Sequence, residues 1–332
     1  MDRPRPSTPP DAREAASAFG LGAVSGPVVP SARGELGRIW RLVTDRGTWA
    51  LKELFEPGPG AAEAATADVA FQERALAGGI PMPRPIVARD GAALVEVGPA
   101  ADRRWVRIYT WVELRGRDAV APLDEVASIL GRLHALAPPD DRPIDPWFRE
   151  PPERARLEAL VERAAQADVP WASTLEGLVP IVLETTDAVG RPAPEPDDRR
   201  TCHLDYNAEN VLVDASGSVC VVDWENSGPA LVEGELASAV AQFAAQAELV
   251  APFLRAYAAA GGPARLRDRA SFALTAIVDA NLVETYARRA LQAGDPEDRE
   301  RAAYWIGDIA ANAFTLERID AWLEAARDAG FG

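Results

Sequence analysis

Apolar and polar residues alternate along the first third of the chain, with a period near two. The pattern predicts strands at 24–30, 38–44 and 48–54, joined by a connection at 31–37 and a tight turn at Asp45-Arg46-Gly47. Such a run of strands folds as an antiparallel meander. A helix-forming stretch follows at 61–77, with Ala70 and Leu76 on its apolar stripe and Gly78-Gly79 as its stop. Proline-spaced Pro81-Met82-Pro83-Arg84-Pro85 then leads into two more strand-like runs, 92–97 and 105–112. Strands, one main helix and further strands make a small α+β lobe.

Beyond Gly116 the apolar period lengthens to that of helices. Val126, Leu130, Leu133 and Leu136 share a stripe within 123–137, with His134 beside them. The prolines and acids of 138–152 read as a loop. Helices are expected at 152–167 and 173–189, and 233–329 is helical in pattern almost throughout. The expected division is a mobile, proline-rich segment at 1–19, an α/β lobe at 20–112 and a helical lobe at 113–332, with no internal repeat.

Composition narrows the class of partner. The chain has 332 residues, 48% of them hydrophobic, with nine tryptophans, enough for a sizeable core. Its net charge of -16 argues against nucleic acid, whose phosphates need a basic surface. Residues 1–112 carry 14 basic and 13 acidic side chains, whereas 113–332 carry 21 and 38. The acidity therefore belongs to the second part, where it would favour a cationic small molecule, although acidic faces also serve solubility. Cys202 and Cys220 sit in apolar settings and read as reduced core thiols. The start lacks an apolar leader and no run is long enough for a bilayer, so the chain reads as cytoplasmic. Two histidines, without H-E-x-x-H or paired C-x-x-C, argue against a zinc site.

The chemistry is concentrated at 203–225. His203-Leu204-Asp205-Tyr206-Asn207-Ala208-Glu209-Asn210 is an H-x-D-x4-N motif, and Val219-Cys220-Val221-Val222-Asp223 is a strand ending in an aspartate. Phosphoryl transfer from a nucleotide uses such a set: Asp205 to orient an attacking hydroxyl, Asn210 and Asp223 to hold magnesium on the phosphates. The turn Asp214-Ala215-Ser216-Gly217 joins two short strands into a ribbon carrying Asn210 and Asp223. Glu225 would assist a second ion or the water around it. His203 is expected to be structural, bonded to the backbone of its loop, and His134 to be a satisfied core histidine.

A second signal is Lys52, the only lysine beside 34 arginines. It lies near the end of the 48–54 strand, in phase with Thr48 and Ala50. A compact ammonium suits contact with nucleotide phosphates better than a wide planar guanidinium. Glu73 on the 61–77 helix is the candidate to pair with it, with Glu63 as rival. The backbone of 109–112, at Thr110 and Val112, could meet a base edge where the lobes join. Gly34 and Gly37 would let the 31–37 connection approach phosphates, although no G-x-G-x-x-G is present.

The 203–225 segment, with Leu130-Gly131-Arg132-Leu133-His134-Ala135-Leu136 and Gly79-Ile80-Pro81-Met82-Pro83, resembles the aminoglycoside phosphotransferase family of kinase-like enzymes. The resemblance spans roughly 36–237. It implies an α+β, two-lobed protein-kinase-like fold, with the nucleotide between the lobes and the γ-phosphate passing to a hydroxyl of a small molecule. It gives Asp205 as the catalytic aspartate, Asn210 and Asp223 as magnesium ligands, and Lys52 as the phosphate contact. Leu212 and Val222 become neighbours of the base. Two departures matter: Leu204 stands where the family commonly has glycine, and Asn207-Ala208-Glu209 precedes Asn210, so that Glu209 adds a carboxylate beside the acceptor site. Further on, Glu235-Leu236-Ala237 stands where Asp-Leu-Ala is usual.

The expected activity is transfer from ATP or GTP, with Mg2+, to a hydroxyl of an aminoglycoside or related cationic amino sugar, with antibiotic resistance as the associated role. The alternatives are a kinase for a neutral sugar, an amino alcohol or a macrolide, and a nucleotide-binding pseudokinase without turnover.

Overall fold

The structure, a computed structural model, describes residues 8–34, 37–55, 57–116, 118–190 and 198–331. The proline-rich start at 1–7 and the middle of the 31–37 connection therefore lie outside the described residues. The described residues form two compact units: 8–126 with Ala208–Ser227, and Ala127–Asn207 with those from Gly228 onward.

In the first unit α1 (Ala12–Ala18) precedes β1 (Val29–Arg33), β2 (Gly37–Thr44), β3 (Gly47–Leu54), α2 (Ala61–Ala77), β4 (Pro85–Ile86), β5 (Val95–Val97) and β6 (Arg104–Thr110). The sheet runs β1-β2-β3-β6-β4, with β5 also on β6, and the strand pairs are antiparallel. Alternation along β2, β3 and β6 sends Trp40, Leu42, Leu51, Val106 and Ile108 to one face, where they pack with Ala15, Ala16 and Phe19 of the α1 segment. Helix α1 thus occupies the second half of the stretch expected to be mobile. Asp11 caps it, accepting from the Arg13 and Glu14 N–H groups, and burial of a short alanine stripe holds it.

The predicted strand at 24–30 shifts to β1, with Val24 making only a single bridge to Thr44. Helix α2 matches its expected bounds, but its buried stripe does not match. Ala65, Asp68, Val69, Phe71, Gln72 and Ala75 face inward, while Ala70 is exposed. The inward face includes two polar residues, which an apolar stripe cannot reveal.

The other unit carries α3 (Leu123–Leu136) after its first turn, then α4 (Pro146–Arg149), α5 (Arg154–Gln166), α6 (Ala172–Val189) and β7 (Arg200–Cys202). The chain returns to the first unit for the ribbon β8 (Val211–Val213) and β9 (Val219–Val221). It then continues with β10 (Gly228–Ala230), paired to β7, and with α7 (Val232–Phe243), α8 (Ala247–Ala259), α9 (Ala273–Gln292), α10 (Pro296–Ala311) and α11 (Leu316–Asp328). Leu157, Leu160, Leu175, Val179, Val283 and Ile306 centre one core on α5, α6, α9 and α10. No helix among the described residues is long and apolar enough to cross a membrane.

Candidate active site

The ribbon β8–β9 pairs Val211 with Val221 and Val213 with Val219, so the residues just outside it, Asn210 and Val222, lie side by side. The Val222 N–H donates to the Asn210 carbonyl at 2.8 Å, which sets Asn210 and Asp223 at the same end of the ribbon. Three ties fix the ribbon in its unit: Val221 N–H to the Pro81 carbonyl, Arg115 N–H to Val213, and Ala215 N–H to Glu113, each at 2.8 Å. Asn210 is buried, whereas the Asp223 side chain is 43% exposed. Asp223 adopts φ +61°, a left-handed conformation rare outside glycine. An amide oxygen and a carboxylate form a hard, all-oxygen donor pair, which fits Mg2+, a cation that takes few protein ligands and completes its shell with water and phosphate oxygens.

Lys52 reaches this end of the ribbon from β3. Its Nζ lies 2.6 Å from Asp223 Oδ1 and 2.7 Å from Glu225 Oε2. Burial alone would pull the ammonium pKa down; the Glu225 and Asp223 carboxylates outweigh it and hold the group above its ordinary 10.5. The two acids divide accordingly. Burial raises both, but Lys52 and Arg107 outweigh it at Glu225, which is held well below 4.5. At Asp223 burial and then the Glu225 charge prevail over Lys52, and its pKa rises.

Glu225 is 14% exposed and its second oxygen is also engaged. Oε1 accepts the Tyr109 hydroxyl at 2.8 Å and lies 3.8 Å from Arg107 Nη1. Burial, then the Glu225 charge, pushes the Tyr109 phenol well above 10.0, which keeps it a donor. Arg107 donates to Asp68 Oδ2 of α2 at 2.9 Å.

In the other unit the H-x-D loop is held by a buried relay. The Ala264 N–H donates to the Tyr257 oxygen at 3.2 Å, Tyr257 meets His134 Nδ1 at 2.8 Å, and His134 Nε2 meets Glu235 Oε2 at 2.8 Å. A neutral imidazole with its proton on Nε2 satisfies this chain of donors. Glu235 Oε1 in turn accepts the Leu204 N–H, one residue before Asp205. Burial raises the Glu235 pKa, but the hydrogen bonds from His134 and from the Leu204 N–H outweigh it and hold the acid below 4.5. Gly131 permits this packing, since a Cβ there would collide with the Tyr257 carbonyl. Leu204 has φ +63°, a strained value for a branched side chain. His203 Nδ1 accepts the Asp205 N–H at 3.3 Å, and Asp205 Oδ1 accepts from Asn207 Nδ2 at 2.7 Å. His134, Cys202 and Glu235 have ligand-type atoms within 4.8 Å of one another, yet both nitrogens of His134 already have partners, so hydrogen bonding accounts for the cluster.

The structure thus brings Lys52, Asp223 and Glu225 together and sets Asn210 beside Asp223. It does not bring Glu73 to Lys52: Glu73 is exposed on α2, about 100° round the helix from buried Gln72. Glu63 and Glu209 are exposed as well. Thr110 ends β6 with its N–H and hydroxyl bonded to Arg84, Val112 lies half-buried two residues on, and Leu212 and Val222 are half-buried on the ribbon. Sequence reasoning missed Arg107, Tyr109 and Asp68. The available signal was a charged residue in phase with Tyr109, opposite the apolar Val106 and Ile108 of the same strand.

A model of the phosphotransferase enzyme family matches residues 28–270. No curated protein matches the chain in sequence. Among solved structures, a spectinomycin phosphotransferase in complex with ADP and spectinomycin superposes with a TM-score of 0.61 at 11% identity, covering 92% of this chain and 93% of the other. An aminoglycoside phosphotransferase from Alicyclobacillus acidocaldarius gives 0.59 at 19% identity, covering 98% and 97%. A microcompartment-associated aminopropanol kinase gives 0.56 at 17% identity, covering 96% and 98%. The fold is shared across these chains, and the family match, joined to the motif geometry, leads to one conclusion: the chain belongs to the phosphotransferase enzyme family, with a protein-kinase-like fold.

Proposed function

We propose that the chain is a magnesium-dependent kinase that moves the γ-phosphate of ATP or GTP to a hydroxyl of a small, cationic acceptor, with an aminoglycoside or related amino sugar preferred. The observation that carries the reading is the contact of Lys52 with Asp223 at 2.6 Å, which joins the one ammonium of a lysine side chain to a carboxylate fit for a metal, beside Asn210. Asn210 and Asp223 would hold Mg2+. When bound, the ion neutralises phosphate charge as the leaving group departs. Asp205 orients the acceptor hydroxyl and takes its proton late, which suits a loose transition state and a weakly basic carboxylate. Lys52 contacts the phosphates. Thr110 and Val112, with Leu212 and Val222, serve the base, and Glu209 serves the acceptor site.

The acidic excess of 113–332 supports a cationic acceptor. Solved relatives of this fold are named for spectinomycin and aminopropanol, and the latter joins an amine to a hydroxyl. A resistance role and a cytoplasmic setting accord with that reading. The test offers purified protein, nucleotide and Mg2+ a panel of aminoglycosides, amino sugars, sugars, amino alcohols and macrolides, with nucleoside diphosphate release as readout. Acceptor-dependent release that falls by about 10³-fold or more in Asp205→Ala is expected. Nucleotide binding with no release across the panel would instead support the pseudokinase reading.

A further inference from the structure

We propose that Glu225 is the positioning residue that fixes the Lys52 ammonium, the task that sequence reasoning gives to a glutamate on α2; the inference rests on the reading of Lys52 as the phosphate contact. It begins with a problem of like charges. Lys52 and Arg107 are direct cross-strand partners on β3 and β6, so two cations stand side by side on one face of the sheet. Such a pair is unfavourable unless each cation has an anion of its own. Asp68 serves Arg107 at 2.9 Å and Glu225 serves Lys52 at 2.7 Å.

The two carboxylates on Lys52 are not equivalent. Glu225 is largely buried, with one oxygen on Lys52 and the other shared by the Tyr109 hydroxyl and the Arg107 guanidinium. Its orientation is therefore fixed by β6 as well as by Lys52. Asp223 is 43% exposed and carries the oxygen donors suited to a divalent ion. An ammonium has three protons to donate. A phosphate oxygen and a bound cation can separate Lys52 from Asp223 while the bond to Glu225 stays in place. With both oxygens engaged by protein donors, Glu225 is suited to hold the ammonium rather than to ligate a second ion.

Lys52 is the only lysine, so acylation of its amine can be followed without background from other side chains and told from the α-amine by peptide mass spectrometry. The probe is N-hydroxysuccinimide acetate at fixed pH, applied to wild type, Glu225→Gln, Glu225→Asp and Tyr109→Phe. Glu225→Gln is expected to acylate Lys52 about tenfold faster, since a charge-assisted bond is lost, with Glu225→Asp between it and wild type. Tyr109→Phe, which removes only the hydroxyl on Oε1, is expected to raise the rate about threefold and serves alone if Glu225→Gln does not fold. In turnover, Glu225→Gln raises the KM for nucleotide more than it lowers kcat, and adds no further loss in a Lys52→Gln background. Wild-type acylation rates in the variants would overturn the proposal. Faster acylation supports it even if no acceptor is ever phosphorylated, in which case the functional reading fails and the positioning contact stands.

Discussion

Glu225 and Glu235 each accept hydrogen bonds at both carboxylate oxygens and each is held below its ordinary pKa, but their surroundings differ in one respect. Around Glu225 a neighbouring carboxylate, Asp223, is 43% exposed and shares the same ammonium, so the cluster has a partner it can exchange for a ligand. Around Glu235 the relay through His134 and Tyr257 is buried, its Leu204 end is partly buried, and every donor is answered within the unit. On the proposed function, the first arrangement is one that an ion and phosphates would open. The second is built to stay closed, and what it holds is the backbone next to Asp205. On that reading the difference separates residues that meet substrate from residues that fix a loop, although both sets are charged and both lie within the same motif neighbourhood in sequence.

Substitutions should therefore separate along the same line. Asp223→Ala is expected to lower kcat/KM by about 10³-fold or more while leaving the unfolding midpoint in urea close to wild type. A comparable loss of stability would break the contrast. Glu235→Ala should do the reverse at the level of folding. It leaves the Leu204 N–H and His134 without their acceptor, and denaturant unfolding should show a loss of about 3 kcal/mol. The pH sign follows from the lowered pKa of Glu235. Its contribution is fully present above the ordinary 4.5 and is lost as pH falls through the lower folded value, so Glu235→Gln should flatten the acid limb of the stability curve.

Asp279 on α9 offers the opposite sign in the same unit. Burial pushes it up to about 7 against the pull of Arg318. Its contribution is fully present below 3.8 and is lost as pH rises toward 7. Because the side chain is only half-buried, the expected decline is about 1 kcal/mol, and Asp279→Asn should abolish it in unfolding curves taken from pH 4 to pH 8. The smallest effect is expected at Leu204, whose φ of +63° favours glycine. Leu204→Gly should raise stability by less than about 1 kcal/mol, since relief of left-handed strain is offset by the entropy of an unfolded glycine. A clear loss would show that the Leu204 side chain, not its backbone, holds the loop.

Much of this was legible in sequence because it is local. The spacing of Asp205, Asn210 and Asp223 and the turn at 214–217 fix a ribbon whose ends must carry Asn210 and Asp223, and the structure has that ribbon. Helix-forming composition and stop signals gave α2, and the helical reading of 123–189 gave α3, α5 and α6, each nearly to its ends. What escaped depends on contacts between distant segments. Pairing of Lys52 opposite Arg107 requires the register of β3 on β6, and only then does Glu225 become the anion that the pair needs. Glu73 is the choice that the pairing of a lysine with a helix glutamate in kinases suggests, and the stripe of Ala70 and Leu76 does not speak against it. The helix turns Asp68 and Gln72 inward instead, and one residue of phase is enough to put Glu73 outside. Helix α1 was hidden because seven residues of mostly alanine carry little periodic signal; its stability comes from Asp11 and from Phe19 against the sheet.

The most direct test of the account is calorimetric titration of a non-hydrolysable ATP analogue into wild type and Asp223→Asn, each with and without Mg2+. The account predicts one site whose affinity depends on Mg2+ in the wild type and falls by about tenfold or more in the variant, with the Mg2+ dependence gone. Equal affinity in both proteins, indifferent to Mg2+, would contradict it.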